Sequence, residues 1–148
     1  MEPLVLAESI PHLTDDDHRE LERIQTQIEQ VRDVETFLVL DRQLHALTYD
    51  GCQVEFLRSM ARRFWNQTQH YRRAFATVTA GQRKWVIDAE HRLLIDAIKR
   101  RDSEAAESVL AAHIRRTLWQ LEQHPEMFAP AGALVEHTTT PAADAPRL

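Results

Sequence analysis

The sequence predicts an all-α fold, an antiparallel bundle of about six helices. Glycine is scarce, with 3 residues in 148, and most of the 6 prolines lie near the two ends. Long uninterrupted helices therefore form easily, and tight turns are few. No stretch shows the alternating pattern of a half-buried strand, whereas apolar residues recur at helical spacing. Short connections between such segments favour antiparallel packing.

Two helices are predicted in the N-terminal region. Residues 2–10 are typical of a short helix that Pro11 stops, because proline cannot continue a helix. Thr14 is typical of an N-cap, and the three aspartates that follow it suit the positive end of a helix dipole. We expect this second helix to continue to about Val31.

Four further helices follow, separated by short polar or glycine-containing connections. The first of them is expected to end at Asp50-Gly51, and the last to be capped by Asp102 or Ser103. Their approximate bounds are 34–49, 53–78, 83–100 and 103–122. From residue 129 the chain becomes rich in Ala, Thr and Pro, which predicts a flexible tail over 129–148 and a helical domain over 1–128.

Composition narrows the class of function. The formal net charge of −5 argues against direct binding to a nucleic-acid backbone, which requires a basic face. The single cysteine, Cys52, excludes an internal disulfide. No apolar run approaches the ~20 residues of a membrane span. We therefore expect a soluble, cytoplasmic protein with no membrane partner.

Polar residues interrupt the apolar face of the helix at 34–49. Asp41 and His45 are four positions apart, so both project from one side, one turn apart. A buried carboxylate is costly unless a cation or several donors compensate it, which makes the pair a candidate for metal binding. Two simpler interpretations stay open: His45 hydrogen-bonds Asp41 within the bundle, or the pair lies at a solvated edge.

Two further histidines lie on the apolar faces of the last two helices. His91 and His113 are equidistant from residue 102, where the turn between these helices is expected. In an antiparallel hairpin such residues lie at the same height, so the two imidazoles can face each other. Each is also explained as an ordinary core histidine. Together with Asp41 and His45 they form a set that suits a divalent ion such as Zn²⁺, Ni²⁺, Mn²⁺ or Fe²⁺.

The remaining polar residues are interpreted as ligand contacts or as surface residues. Arg72, Thr68 and Gln67 lie on or beside the cavity-facing side of the segment 53–78, and we predict that they contact a ligand. Arg72 is the best placed of the three to meet a buried anion. The remaining histidines are interpreted as surface residues: His12, His18, His70, His124 and His137.

Two segments resemble a known family. The run from Leu40 to His45 (LDRQLH), followed by Gly51, is similar to the "D-x-x-F-H … G-N" signature of the FCD module. This module is the C-terminal ligand-binding domain of FadR-type regulators in the GntR family of bacterial transcription factors. The stretch 90–116 resembles the last two core helices of that module. Leu44 and Cys52 depart from the family pattern, which has Phe and Asn there.

The resemblance implies a function. In metal-binding members of the family one Asp and three His hold a divalent cation, and these positions correspond to Asp41, His45, His91 and His113. In these modules a small organic acid or another anion completes the metal shell, and its binding changes the arrangement of a homodimer. The N-terminal winged helix-turn-helix of the family is absent from these 148 residues, so DNA would be reached only through a domain outside this chain.

The leading hypothesis is thus a metal-dependent sensing domain for a small carboxylate, without enzymatic activity. One alternative is a helical-bundle metalloenzyme, which needs an activated water and a general base beside the metal. Another is a ligand-free dimerisation module, whose melting temperature would not respond to EDTA.

Overall fold

The computed structural model describes residues 1–79 and 84–128, and the predicted tail at 129–148 lies outside them. The described residues form seven α-helices and no strand, which confirms the predicted all-α bundle. The helices are α1 (Glu2–Ser9), α2 (Asp15–Gln30), α3 (Val34–Tyr49), α4 (Glu55–Gln67), α5 (Gln69–Thr79), α6 (Lys84–Lys99) and α7 (Ser103–Glu122).

The start of α2 follows the predicted capping pattern. The Thr14 hydroxyl accepts a hydrogen bond from the Asp17 amide, and the Asp17 carboxylate accepts one from the Thr14 amide. This reciprocal arrangement satisfies two amides that a helix start leaves unpaired. Ahead of it, a 3-10 turn at Ile10–His12 follows α1 and leads through Leu13 to the capped start of α2.

The junction after α3 brings the chain close to the end of α1. The Gly51 amide donates a hydrogen bond to the Ser9 hydroxyl at 2.9 Å. A Cβ atom at position 51 would lie 2.4 Å from the Ser9 carbonyl oxygen, so only glycine permits this approach. The contact fixes α1 against α3.

The predicted single helix over 53–78 is wrong, because the structure has two helices, α4 and α5, with a break at Thr68. Thr68 adopts φ −97° and ψ 8°, outside the helical region. Its hydroxyl donates to the Phe64 carbonyl at 2.7 Å, four residues earlier. Such a bond can bend a helix, but Thr26 and Thr77 make it inside unbroken helices, so it does not by itself explain the break. The break divides the segment that carries the predicted ligand contacts.

The α6–α7 hairpin forms one side of the bundle. Asp102 caps α7 by accepting from the Ala105 amide at 3.0 Å, as predicted. Arg101, with a φ of 56°, makes the turn, and its guanidinium donates to the carbonyls of Ile10, Pro11 and Leu13. The hairpin packs against α1 and α2, and α3 packs against α2. No helix of the described residues is long and apolar enough to cross a membrane.

Candidate metal centre

Three imidazoles meet inside the bundle. Each of His45, His91 and His113 offers a ligand atom, and these atoms all lie within 4.8 Å of one another. The ring centroids are 5.2 to 5.5 Å apart. All three side chains are buried, His45 and His91 with only 1% of their surface exposed. The structure thus brings together one histidine from each of α3, α6 and α7.

The carboxylate of Asp41 lies beside this trio. Its Oδ1 is 3.5 Å from Nε2 of His91 and 3.8 Å from Nε2 of His45. These separations are longer than hydrogen bonds, so Asp41 does not satisfy either imidazole directly. Asp41 is 7% exposed, which excludes the interpretation that the pair lies at a solvated edge. The four side chains predicted as ligands therefore share one buried region, and their role as ligands stays a prediction.

A hydrogen-bond chain from α2 fixes the orientation of His91. Gln25 donates from its amide nitrogen to Glu29 at 3.2 Å, which directs its carbonyl oxygen towards His91 Nδ1 at 2.9 Å. A carbonyl oxygen only accepts, so Nδ1 carries the proton and Nε2 holds the lone pair. That Nε2 is buried without a hydrogen-bond partner, on the side of the ring that lies next to Asp41. We call Asp41, His45, His91 and His113 the cluster. Arg92 in turn holds Glu29 at 2.6 Å.

His113 is oriented by a carboxylate in the same way. Its Nδ1 lies 2.7 Å from Oε2 of Glu90, which only accepts, so Nε2 of His113 is left with its lone pair. Arg116 forms an ion pair with the other oxygen of Glu90. Carboxylate–histidine pairs of this kind orient metal ligands and raise their basicity. Two of the three imidazoles therefore have a defined tautomer with Nε2 as the free acceptor.

His45 is the most exceptional of the three. Both of its ring nitrogens are buried without a hydrogen-bond partner in the described structure. A buried polar atom left unpaired costs about 1 to 3 kcal/mol. One cation binds one nitrogen of each imidazole, so it would satisfy Nε2 of His91 and one of the two orphaned nitrogens of His45 beside the buried carboxylate. This donor set fits a divalent metal ion, because imidazole and carboxylate are ligands for zinc and the neighbouring transition metals.

The electrostatics keep the imidazoles neutral. Burial lowers the pKa of His45 and of His91 well below the ordinary value, and it also lowers the pKa of His113. Burial raises the pKa of the Asp41 carboxyl, an effect that His113 and Arg72 oppose. Neutral imidazoles have the free lone pair that metal binding requires.

The three predicted ligand contacts have different environments. Arg72 is partly buried, and its guanidinium carbon lies 3.3 Å from the centre of the Trp65 ring, a cation–π contact. Trp65 in turn packs beside the candidate metal centre, since its ring centre is 5.1 Å from that of His45. The Thr68 hydroxyl donates a hydrogen bond to the Phe64 carbonyl, and Gln67 is exposed. Among the three, Arg72 is the one with a cation–π contact to Trp65, the side chain that packs beside His45.

One interpretation of the outlying histidines is wrong. His18, interpreted as a surface residue, is only 9% exposed because it precedes Leu21 by three positions on the apolar face of α2. His124 is half-buried and contacts Glu126 at 2.9 Å. His137 lies outside the described residues. The other two are exposed, as predicted: His12 and His70.

Sequence reasoning missed the residues that orient the imidazoles. Gln25 interrupts the apolar face that Ile24 and Ile28 define, so its helical position was a usable signal. Glu90 is adjacent to His91 in sequence but accepts a hydrogen bond from His113, a pairing that depends on the packing of α6 against α7. Glu2, which meets Arg72 from α1, carried no signal in the sequence, because its three partners come from separate helices.

The family model of the FCD domain matches residues 1–116, so the chain belongs to the FCD domain family. This confirms the resemblance of the two segments. FCD domains are the regulatory ligand-binding domains of GntR-type regulators and are not enzymes. No curated protein and no solved structure matches the chain significantly.

Proposed function

We propose that this domain binds one divalent metal ion through Asp41, His45, His91 and His113, and uses the ion to sense a small organic acid. The observation that carries the proposal is the buried trio of imidazoles with ligand atoms within 4.8 Å of one another and orphaned nitrogens that have no hydrogen-bond partner in the described residues. Zn²⁺, Ni²⁺ and Mn²⁺ all accept this donor set, so the identity of the ion depends on availability as well as on geometry.

The metal would supply a Lewis-acid site for an anion. Four protein ligands leave coordination positions free on a five- or six-coordinate ion, and a carboxylate or hydroxy acid can fill them. Arg72 lies beside this site and would contact the same anion. Gln67 and Thr68, which precede it at the end of α4, would be secondary contacts. A neutral set of imidazoles with a metal and one arginine would favour small anions over neutral molecules.

Effector binding would require movement of the helices around the cluster. The cavity between Glu90, His113 and α5 has a volume of about 10 Å³, which suffices for a water molecule at most. An organic acid is larger, so its entry would shift the packing of α5 against α7. We propose that this shift changes the arrangement of a homodimer and is relayed to a DNA-binding domain outside this chain.

Metal content tests the first part of the proposal. The wild type and the double variant His91→Ala, His113→Ala are purified in parallel and measured by elemental analysis. We expect about one metal ion per wild-type chain and loss of the ion in the double variant. The matched control is His12→Ala with His70→Ala, which removes two exposed imidazoles and should retain the metal. Equal, substoichiometric metal in all three proteins would reject the proposal.

Calorimetry tests the second part. Lactate and acetate are titrated into the zinc-loaded wild type and into protein treated with EDTA. We expect saturable binding to the metal-loaded protein and at least about tenfold weaker binding after metal removal, because the free coordination positions disappear. Equal binding in the two forms would show that the metal has no part in effector recognition.

A further inference from the structure

Three hydrogen-bond donors from separate helices converge on one carboxylate of the chain itself. Oε2 of Glu2 accepts from the Tyr49 hydroxyl at 2.7 Å and from the Trp65 indole N–H at 3.1 Å. Oε1 of Glu2 accepts from the Arg72 guanidinium at 3.3 Å. We call Tyr49, Trp65 and Arg72 the donor trio. They bring an O–H, an N–H and a guanidinium to one place, which is a binding site for a carboxylate.

The donor trio lies next to the metal centre. The Trp65 ring centre is 5.1 Å from that of His45, and the Arg72 guanidinium lies over the Trp65 ring at 3.3 Å. The charges of Arg72 and Glu2 also affect the pKa of Asp41 and of His113, in opposite directions. An anion bound to the metal and an anion bound to the donor trio would therefore be neighbours or parts of one molecule.

Glu2 can leave the donor trio without undocking its helix. Val5, Leu6 and Ser9 hold α1 in the core with 0% of their surface exposed. Glu2 lies in the first turn, and its side chain is 13% exposed, so rotation about its own side-chain bonds takes the carboxylate to solvent. Arg72 is 20% exposed and keeps one donor, Nε, buried without a partner, so an arriving anion finds an additional hydrogen bond there.

We infer that Glu2 is an internal competitor for the effector: its carboxylate occupies the donor trio and must be displaced before an external carboxylate binds there. This inference rests on the proposed function, since it assigns the carboxylate subsite of the same ligand. A tethered carboxylate is present at high effective concentration, so it weakens the apparent affinity for any free acid. Glu2 would thereby set the effector concentration at which the domain responds, and it would select acids that can also reach the metal.

The test uses acetate as the probe and the Trp65 indole N–H as the reporter, followed by NMR in the full chain. Wild type, Glu2→Ala and Glu8→Ala are compared, each treated with EDTA. Glu8 is an exposed glutamate on the same helix and is the matched control. We expect Glu2→Ala to bind acetate at least about tenfold more tightly than the wild type and Glu8→Ala to match the wild type. Adding Arg72→Ala to Glu2→Ala should abolish the gain.

Glu2→Gln is a second variant, which keeps the inference testable if Glu2→Ala does not fold. Glu2→Gln keeps an oxygen acceptor for Tyr49 and Trp65 but removes the charge that Arg72 pairs with, and we expect a smaller gain in acetate affinity. Equal acetate affinity in wild type, Glu2→Ala and Glu2→Gln would overturn the inference. Because these titrations contain no metal, they are independent of the metal analysis. A metal-free wild type would reject the proposed function, whereas an unchanged acetate affinity would reject only the role of Glu2.

Discussion

At the scale of single residues, the cluster combines neutral imidazoles with partners that leave Nε2 free on two of them. Gln25 accepts a hydrogen bond from Nδ1–H of His91, and Glu90 accepts one from Nδ1–H of His113. Both partners are themselves held, Gln25 by Glu29 and Glu90 by Arg116. Two Nε2 lone pairs are therefore left free within the buried cluster, a costly arrangement unless a cation binds them.

The orienting role of Gln25 leads to the first prediction. Gln25→Ala leaves His91 in place but removes the acceptor of its Nδ1 proton, so the ring can rotate and change tautomer. We expect metal affinity to fall by about 10- to 100-fold, as is usual when such a partner is lost. A competition titration with a zinc chelator measures this. Gln27→Ala, an exposed glutamine of the same helix, is the control, and equal affinities in the two variants would contradict the assigned role.

The lowered imidazole pKa values predict how the metal-free protein responds to acid. Between the native pKa and the ordinary value near 6.5, the unfolded chain binds more protons than the native one, so the free energy of unfolding falls as the pH drops below about 6.5. Each histidine contributes up to about 1.4 kcal/mol per pH unit. The raised pKa of Asp41 acts in the opposite sense, because its native carboxyl takes up a proton first.

Urea denaturation of EDTA-treated protein at pH 7.5 and pH 5.5 measures this effect. We expect a clear loss of stability at the lower pH in the wild type and a smaller loss in His91→Gln, which lacks one buried imidazole. His12→Gln changes an exposed histidine and should behave as the wild type does. A wild type that is equally stable or more stable at pH 5.5 would contradict the assignment of neutral buried imidazoles.

At the scale of helices, the close approach of α1 and α3 gives the next prediction. Gly51→Ala places a Cβ against the Ser9 carbonyl oxygen, a backbone atom that cannot rotate away. We expect a loss of about 1 to 3 kcal/mol in the free energy of unfolding, as for other overpacked sites. Chemical denaturation measures it, with Glu8→Ala on the exposed side of α1 as the control. An unchanged stability would show that α1 moves away at little cost.

The helices differ in how well their sequences predict them. Ends that depend on local chemistry were predicted: the Thr14 cap, the Asp102 cap and the stop before Pro11. The break at Thr68 was not, because the polar residues around it have ordinary helix propensity and include no glycine or proline that would mark a helix end. The packing of α1 against Tyr49, Trp65 and Arg72 depends on tertiary structure alone.

At the scale of the whole molecule, the cluster joins helices that are distant in the chain. His45 comes from α3, while His91 and His113 come from the two arms of the hairpin, so a bound ion would link all three. The pairing of His91 with His113 could be predicted from the sequence, because both are eleven residues from residue 102 and the arms of an antiparallel hairpin run side by side. The height of α3 relative to the hairpin was not, because it depends on how α2 packs against both α3 and α6.

A cation shared by three helices should stabilise the whole domain. When the free ion exceeds its dissociation constant by about 100-fold, it adds about 2.7 kcal/mol to the free energy of unfolding. We therefore expect the melting temperature of the wild type to fall on addition of EDTA and to recover with excess zinc. His45→Ala should show no such response, and His70→Ala should respond as the wild type does. A wild type that is insensitive to EDTA would favour a ligand-free dimerisation module.

X-ray absorption spectroscopy of the zinc-loaded protein tests the central claim most directly, because it reports the atoms bound to the ion. We expect imidazole scattering from three histidines and nitrogen or oxygen ligands at about 2.0 to 2.2 Å. In His45→Ala the imidazole count should fall by one. A zinc shell without imidazole scattering, or one identical in wild type and His45→Ala, would contradict a metal centre built from these helices.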